Sequence, residues 1–148
     1  MKVIFTPPDL ILVFVILQII AHFLFPIKQI IFYPLTLVGI LLIVAGQIPN
    51  FWLYLYFRKR KTTTKIYETP NKLVTSGLFR FSRNPNYLGM AITLFGVSIL
   101  TGSLVTFIFP FLFIILTEIF VIPTEERTLE KKFGKRYLEY KKQVRRWL

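Results

Sequence analysis

Charge is segregated along this chain: long stretches carry almost none, and the basic residues gather in two clusters at their borders. No Asp, Glu, Lys or Arg occurs from Leu10 to Phe25 or from Ile30 to Phe57, and only Glu118 occurs from Leu88 to Ile122. A water-soluble domain interrupts its apolar runs every few residues to give each helix a wet face. With 54% hydrophobic residues distributed in this way, the bilayer is the solvent that suits the chain.

A net charge of +12 would also suit nucleic acid, but its placement argues otherwise. Eight of the 19 Lys and Arg lie between Arg58 and Arg83 and nine between Arg127 and Arg146, leaving only Lys2 and Lys28 elsewhere. Both clusters adjoin apolar segments, where anionic lipid headgroups attract them and where the positive-inside rule expects them. The expected partners are therefore lipid headgroups and not nucleic acid. Cysteine is absent and His22 is the one histidine, which excludes disulfides, thiol catalysis and a Cys- or His-built metal site.

These patterns predict an all-α, polytopic membrane protein of about four transmembrane helices plus a C-terminal amphipathic interfacial helix. Residues 1–57 hold two helices, the first announced by Pro7-Pro8-Asp9 and retained rather than cleaved, the second tilted and kinked at Pro49. A cytoplasmic loop follows over 58–84, with Thr62-Thr63-Thr64, Pro70-Asn71 and Gly77 as breakers. Residues 85–122 are too long for one crossing, so Thr101-Gly102-Ser103 is read as the turn of a transmembrane hairpin. In 123–148, Leu129, Phe133, Tyr137, Tyr140 and Val144 recur three or four apart between Lys and Arg, the mark of an amphipathic helix. An even number of crossings keeps both basic segments, and both termini, on the cytoplasmic side.

Two polar clusters border the hairpin. In the first, Asn84 reads as an N-cap and Pro85 as the first helical residue, while Gly89 permits close backbone approach. Arg80, Arg83 and Tyr87 add two guanidinium groups and a phenol beside a helix N-terminus, a set that suits a carboxylate or phosphate. The second is Pro123-Thr124-Glu125-Glu126-Arg127, where Thr124 reads as a cap and the glutamates complement the helix dipole. Glu118 lies two turns before Glu125, on about the same face, and an intramembrane carboxylate is a functional candidate. Gln18 and His22, four apart, read as an interhelical hydrogen-bonding pair, and Gln47 to Asn50 as a bend or polar notch beside Pro49.

These clusters resemble the membrane methyltransferases of the isoprenylcysteine carboxyl methyltransferase type and the related phospholipid methyltransferases. Arg83-Asn84-Pro85-Asn86-Tyr87-Leu88-Gly89 is similar to that family's R-H-P-x-Y-x-G signature, and Gly77-Leu78-Phe79-Arg80 is similar to its G-x-Y-R lead-in, with Phe79 for the tyrosine. The segment from Glu125 to Tyr140 is similar to its E-E-x-x-L-x-x-x-F-G-x-x-Y-x-x-Y tail without a gap. The resemblance implies S-adenosylmethionine held at the cytoplasmic ends of the last two helices, closed over by the C-terminal helix, and a lipophilic small-molecule or lipidated acceptor entering from the bilayer. It implies that Arg83, supported by Arg80, meets the methionyl carboxylate, that Glu125 or Glu126 takes the ammonium or the ribose hydroxyls, and that Tyr87 packs on the cofactor. Gly77, Leu78, Asn84, Pro85, Gly89 and Glu118 complete the expected lining, and Arg83, Asn84, Glu125 and Glu126 are the expected catalytic set. Asn84 stands where the signature has histidine; asparagine does not titrate near neutrality, which removes a proton relay at that position. An NADPH-dependent sterol-reductase-like protein, whose R-H-P-N-Y-x-G segment is similar, and a non-catalytic lipid-binding protein are the competing readings.

Overall fold

The structure is a computed structural model describing residues 7–25, 28–59 and 73–148. The loop breakers Thr62-Thr63-Thr64 and Pro70-Asn71 lie outside the described residues, as does Lys2. All long elements among the described residues are helices: α1 Pro7–Leu24, α2 Val38–Lys59, α3 Pro85–Thr101, α4 Ile108–Leu116, α5 Ile122–Phe133 and α6 Lys135–Gln143.

The second apolar segment is not helical from Ile30. Its first residues lie against the α3–α4 turn instead: the Ile30 and Ile31 amides donate to the Gly102 carbonyl at 2.8 and 3.2 Å, and Gln29 pairs with Ser103. Pro34 disfavours helical geometry at the residue before it, so winding begins only at the 3-10 turn Leu35–Leu37 and continues as α2 through Pro49. Gly102, at φ 65°, ends α3 in the left-handed region and makes the expected reversal.

After that reversal, Leu104–Phe133 forms one continuous helix of 30 residues. The expected break at Ile122 is therefore absent. Thr124 caps nothing; its hydroxyl donates back to the Phe120 carbonyl at 2.8 Å inside the helix. The strain of Pro123, which has no N–H, is met by a π-helical turn over Thr117–Val121 directly before it. The break falls at Gly134 instead (φ 53°, ψ −128°), a conformation that favours glycine, and it splits the expected amphipathic tail helix into the end of α5 and α6.

Helices α2 and α3 pack antiparallel along a glycine seam. A Cβ on Gly46 would lie 2.5 Å from the Gly89 carbonyl oxygen, and one on Gly39 would lie 2.4 Å from that of Gly96. Only glycine lets these backbones come so close. Fully buried Gln18 ties α1 to the hairpin, its amide donating to the Leu94 carbonyl at 3.1 Å, Ser98 Oγ at 2.8 Å and the Thr106 carbonyl at 3.2 Å. Phe14 stacks edge-on against Phe113 of α4 at the centre of the core.

The surface inverts the soluble pattern. Leu12, Ile16, Leu41, Ile48, Phe111 and Phe120 are exposed, while Gln18, Thr93, Ser98, Thr106 and Thr117 are buried. Among the described residues, Leu35–Tyr56 and Leu104–Phe133 are long and apolar enough to cross a membrane. The Lys28–Ile31 and Gly102–Leu104 contacts gather the α1–α2 and α3–α4 reversals at one end of the bundle. Arg58 and the segments around Arg83 and Glu126 lie at the other end, where the site is built.

Candidate functional site

The short 3-10 helix Gly77–Arg80 leads into α3 along the end of α2, and Gly77 has φ 66° with its α-carbon against the Trp52 ring, where a Cβ would lie 2.3 Å from Cη2. Pro85 occupies the first helical position and is buried. Asn84 does not cap with its side chain. The Ser82 hydroxyl accepts from the Asn84 amide at 3.1 Å, and the Asn84 side-chain amide donates to the Arg146 carbonyl at 3.1 Å. Arg83 likewise uses its backbone N–H on the Arg145 carbonyl at 3.0 Å. The segment before α3 is thus held by the chain's last residues.

Its side chains reach α5. The Tyr87 hydroxyl donates to Glu125 Oε1 at 2.8 Å. Arg83 Nη1 lies 3.2 Å from Glu126 Oε1, with both side chains more than nine-tenths buried. That ion pair is off-line for a hydrogen bond, so Arg83 Nε and Nη1 remain buried donors with no hydrogen-bond acceptor among the described residues. Glu126 also receives Arg146 Nη2 at 2.9 Å and Lys141 Nζ at 3.3 Å, the latter shared with Glu130 at 2.7 Å.

Glu118 aligns with Glu126 rather than with Glu125, because the π turn between them inserts one residue into the two-turn repeat. Arg146 bridges the two, its Nη1 bonding Glu118, while the Trp147 indole donates to the other Glu118 oxygen at 2.8 Å. Tyr137 and Tyr140 of α6 wall the cluster, and the Tyr140 hydroxyl donates to the Phe79 carbonyl at 2.7 Å. Burial, assisted by the nearby Glu126 carboxylate, pushes the Tyr137 hydroxyl up to about 12, and burial raises Tyr140 as well, so both phenols stay neutral.

A sequence profile of the phospholipid methyltransferase family matches residues 35–136. The chain belongs to the phospholipid methyltransferase family. An uncharacterized protein of Haemophilus influenzae (strain ATCC 51907 / DSM 11121 / KW20 / Rd) is 37% identical over 62 residues, 42% of this chain and 98% of that protein. No solved structure matches the chain. Membership in this methyltransferase family, together with the apolar helices and their exposed faces, makes the chain a membrane methyltransferase.

The structure brings together Arg83, Asn84, Tyr87, Glu118, Glu125 and Glu126. It does not bring in Arg80, which is exposed at the end of its 3-10 turn. Gly89 faces α2 and serves the glycine seam, Gly77 serves the contact with Trp52, and Leu78 is half-buried beside it. Sequence reasoning missed Arg146, Trp147 and Lys141, which read as members of a basic amphipathic tail and lie beyond the matched residues. One signal pointed to them: a carboxylate inside an apolar run, such as Glu118, needs a cation, and the tail supplies many.

Proposed function

We propose that this chain transfers a methyl group from S-adenosylmethionine to a lipophilic acceptor held in the bilayer. The observation that carries the reading is the buried Arg83 guanidinium, its Nε without an acceptor among the described residues and its Nη1 paired off-line with Glu126, set beside the Tyr87–Glu125 pair. The cofactor carries a carboxylate, an ammonium, ribose hydroxyls and a sulfonium, and an arginine fork, carboxylates and phenols complement that set. Arg83 would take the carboxylate, the α5 glutamates the ammonium or ribose, and Tyr87 would pack against the cofactor. When bound, the sulfonium supplies a methyl that a nucleophilic acceptor atom takes directly, so no covalent enzyme intermediate is required. The residues here then act by holding reactants in line and keeping water out. Asn84, fixed on the Arg146 carbonyl, positions the tail and moves no proton.

The topology that fits this reading is four crossings with both termini cytoplasmic. The two reversals share one end, while Arg58, Arg127, Lys131, Lys135 and Arg136 are exposed at the other, where anionic headgroups would meet them. The deciding experiment incubates purified protein with methyl-labelled cofactor and a total lipid extract and identifies the labelled species by mass spectrometry. Label in a lipophilic product supports the proposal. Calorimetric binding of NADPH without any response to S-adenosylmethionine would reverse it.

A further inference from the structure

Val144–Leu148 lies beyond the last helix, yet it closes the polar end. The Arg146 guanidinium bridges Glu118 and Glu126, Trp147 holds the second oxygen of Glu118, and the Arg145 and Arg146 carbonyls are held by the Arg83 amide, the Asn84 amide group and Ser82 Oγ. A cation belonging to the chain itself therefore fills the space between the two carboxylates. Its hold is exchangeable: the Arg146 side chain keeps 28% of its surface exposed, against 6% for Glu126 and 9% for Arg83. On the inner side of the same cluster, the buried Arg83 Nε has no acceptor among the described residues and Nη1 meets Glu126 only as an off-line ion pair.

We propose that Glu118 and Glu126 form the subsite for the ammonium of the cofactor's amino-acid end, and that Arg146 is a latch occupying that subsite until the cofactor displaces it. This rests on the cofactor reading above. Charge decides what can replace the latch. Glu118 and Glu126 contribute two negative charges, and Arg83 and Arg146 two positive ones. Lys141 is balanced by Glu130, and Glu125, bonded to Tyr87, counts the same in either state. S-adenosylmethionine, with one carboxylate, one ammonium and one sulfonium, carries a net single positive charge, as Arg146 does. Exchange leaves the cluster neutral, which matters most at its inner pair, Glu126 and Arg83, because an uncompensated buried charge is costly. The demethylated product has lost the sulfonium charge, so with it bound the cluster keeps one unbalanced carboxylate, and return of Arg146 restores neutrality. The two carboxylates thus hold the methyl donor more tightly than its product, and the latch competes with both.

The test reads the latch directly. Trp52→Phe leaves Trp147 as the one tryptophan of the chain and keeps an aromatic ring against Gly77. In detergent or nanodiscs, titration with S-adenosylmethionine is expected to shift Trp147 emission to the red, saturating at the midpoint that calorimetry gives for binding. In Arg146→Gln, S-adenosylmethionine and S-adenosylhomocysteine are both expected to bind tighter by the same factor, at least about tenfold if the latch is closed more than about nine-tenths of the time. Cofactor binding that leaves Trp147 emission unchanged, or that is unaltered or weaker in Arg146→Gln, overturns the latch and leaves the proposed function standing. Binding seen only in Arg146→Gln supports it. If neither the wild type nor the variant binds, both proposals fall, and the Trp52→Phe measurement carries the decision should Arg146→Gln not fold.

Discussion

Tyr87 and Glu125, 38 residues apart in sequence, meet through a hydrogen bond of 2.8 Å that joins the start of α3 to α5. The bond matters because Tyr87 is buried and Glu125 is partly so, which leaves few alternative donors for that carboxylate. Tyr87→Phe keeps the ring and removes the donor. We expect it to destabilise the protein by about 1–3 kcal/mol, the usual cost of leaving a buried acceptor unmade, and to weaken cofactor binding. Thermal unfolding in detergent and calorimetry measure the two effects.

Arg83→Lys tests the fork rather than the charge. Lysine can still neutralise Glu126 but offers no planar set of donors to a carboxylate. The expected outcome is a folded protein whose melting temperature changes little and whose affinity for S-adenosylmethionine falls at least tenfold, about 1.4 kcal/mol. Arg83→Ala, by contrast, strands a buried carboxylate and is expected to cost several kcal/mol of stability, within the roughly 3–5 kcal/mol typical of a broken buried pair.

The glycine seam predicts a graded set. Gly46→Ala places a methyl 2.4 Å from Thr93 Oγ1 and 2.5 Å from the Gly89 carbonyl oxygen, so backbone must move. A loss of about 1–3 kcal/mol or more is expected from such overpacking. Gly134→Ala meets nothing within 4 Å and pays only for its positive φ, about 1–3 kcal/mol, with no effect on helix packing. Melting curves for the two, with crosslinking between α2 and α3 as the readout of separation, distinguish clash from strain.

Gln18→Leu separates fold from function. Its amide serves three acceptors, but the Ser98 hydroxyl already donates to the Leu94 and Thr106 carbonyls, so the helices keep part of their polar bonding. Within a membrane such bonds are worth about 0.6 kcal/mol on average and at most about 1.7 kcal/mol, and the melting temperature should fall accordingly. Affinity for the cofactor, measured on the same sample, should not change.

What the sequence disclosed was set by solvent. Charge-free runs, the Gly102 turn and the convergence of the Tyr87 and Glu125–Glu126 segments were all legible, since apolar length and basic borders follow directly from the bilayer. Contacts specified by a single inserted residue or a single close approach were not. Gly89 read as a point of close backbone approach, but its partner was not legible: the spacing of seven between Gly39 and Gly46 and between Gly89 and Gly96 records a seam. Asn84 read as a cap because its neighbours Pro85 and Tyr87 look like a helix start, but the tail carbonyl competes for its amide. Arg146 was indistinguishable from the other basic residues near it, because only the fold reveals which cation faces a carboxylate.

The widened turn over Thr117–Val121 sets the rotational phase of everything after it. Winding the same five residues as a regular α-helix, with none removed, would turn the rest of the helix by about 100°, carrying Glu126 away from Arg83 and bringing a different side chain to that face. A chain of this kind can therefore change which acidic position it presents by rewinding a single turn, without altering any of its charges. The winding of this short stretch is as informative about the polar end as the identity of the glutamates themselves.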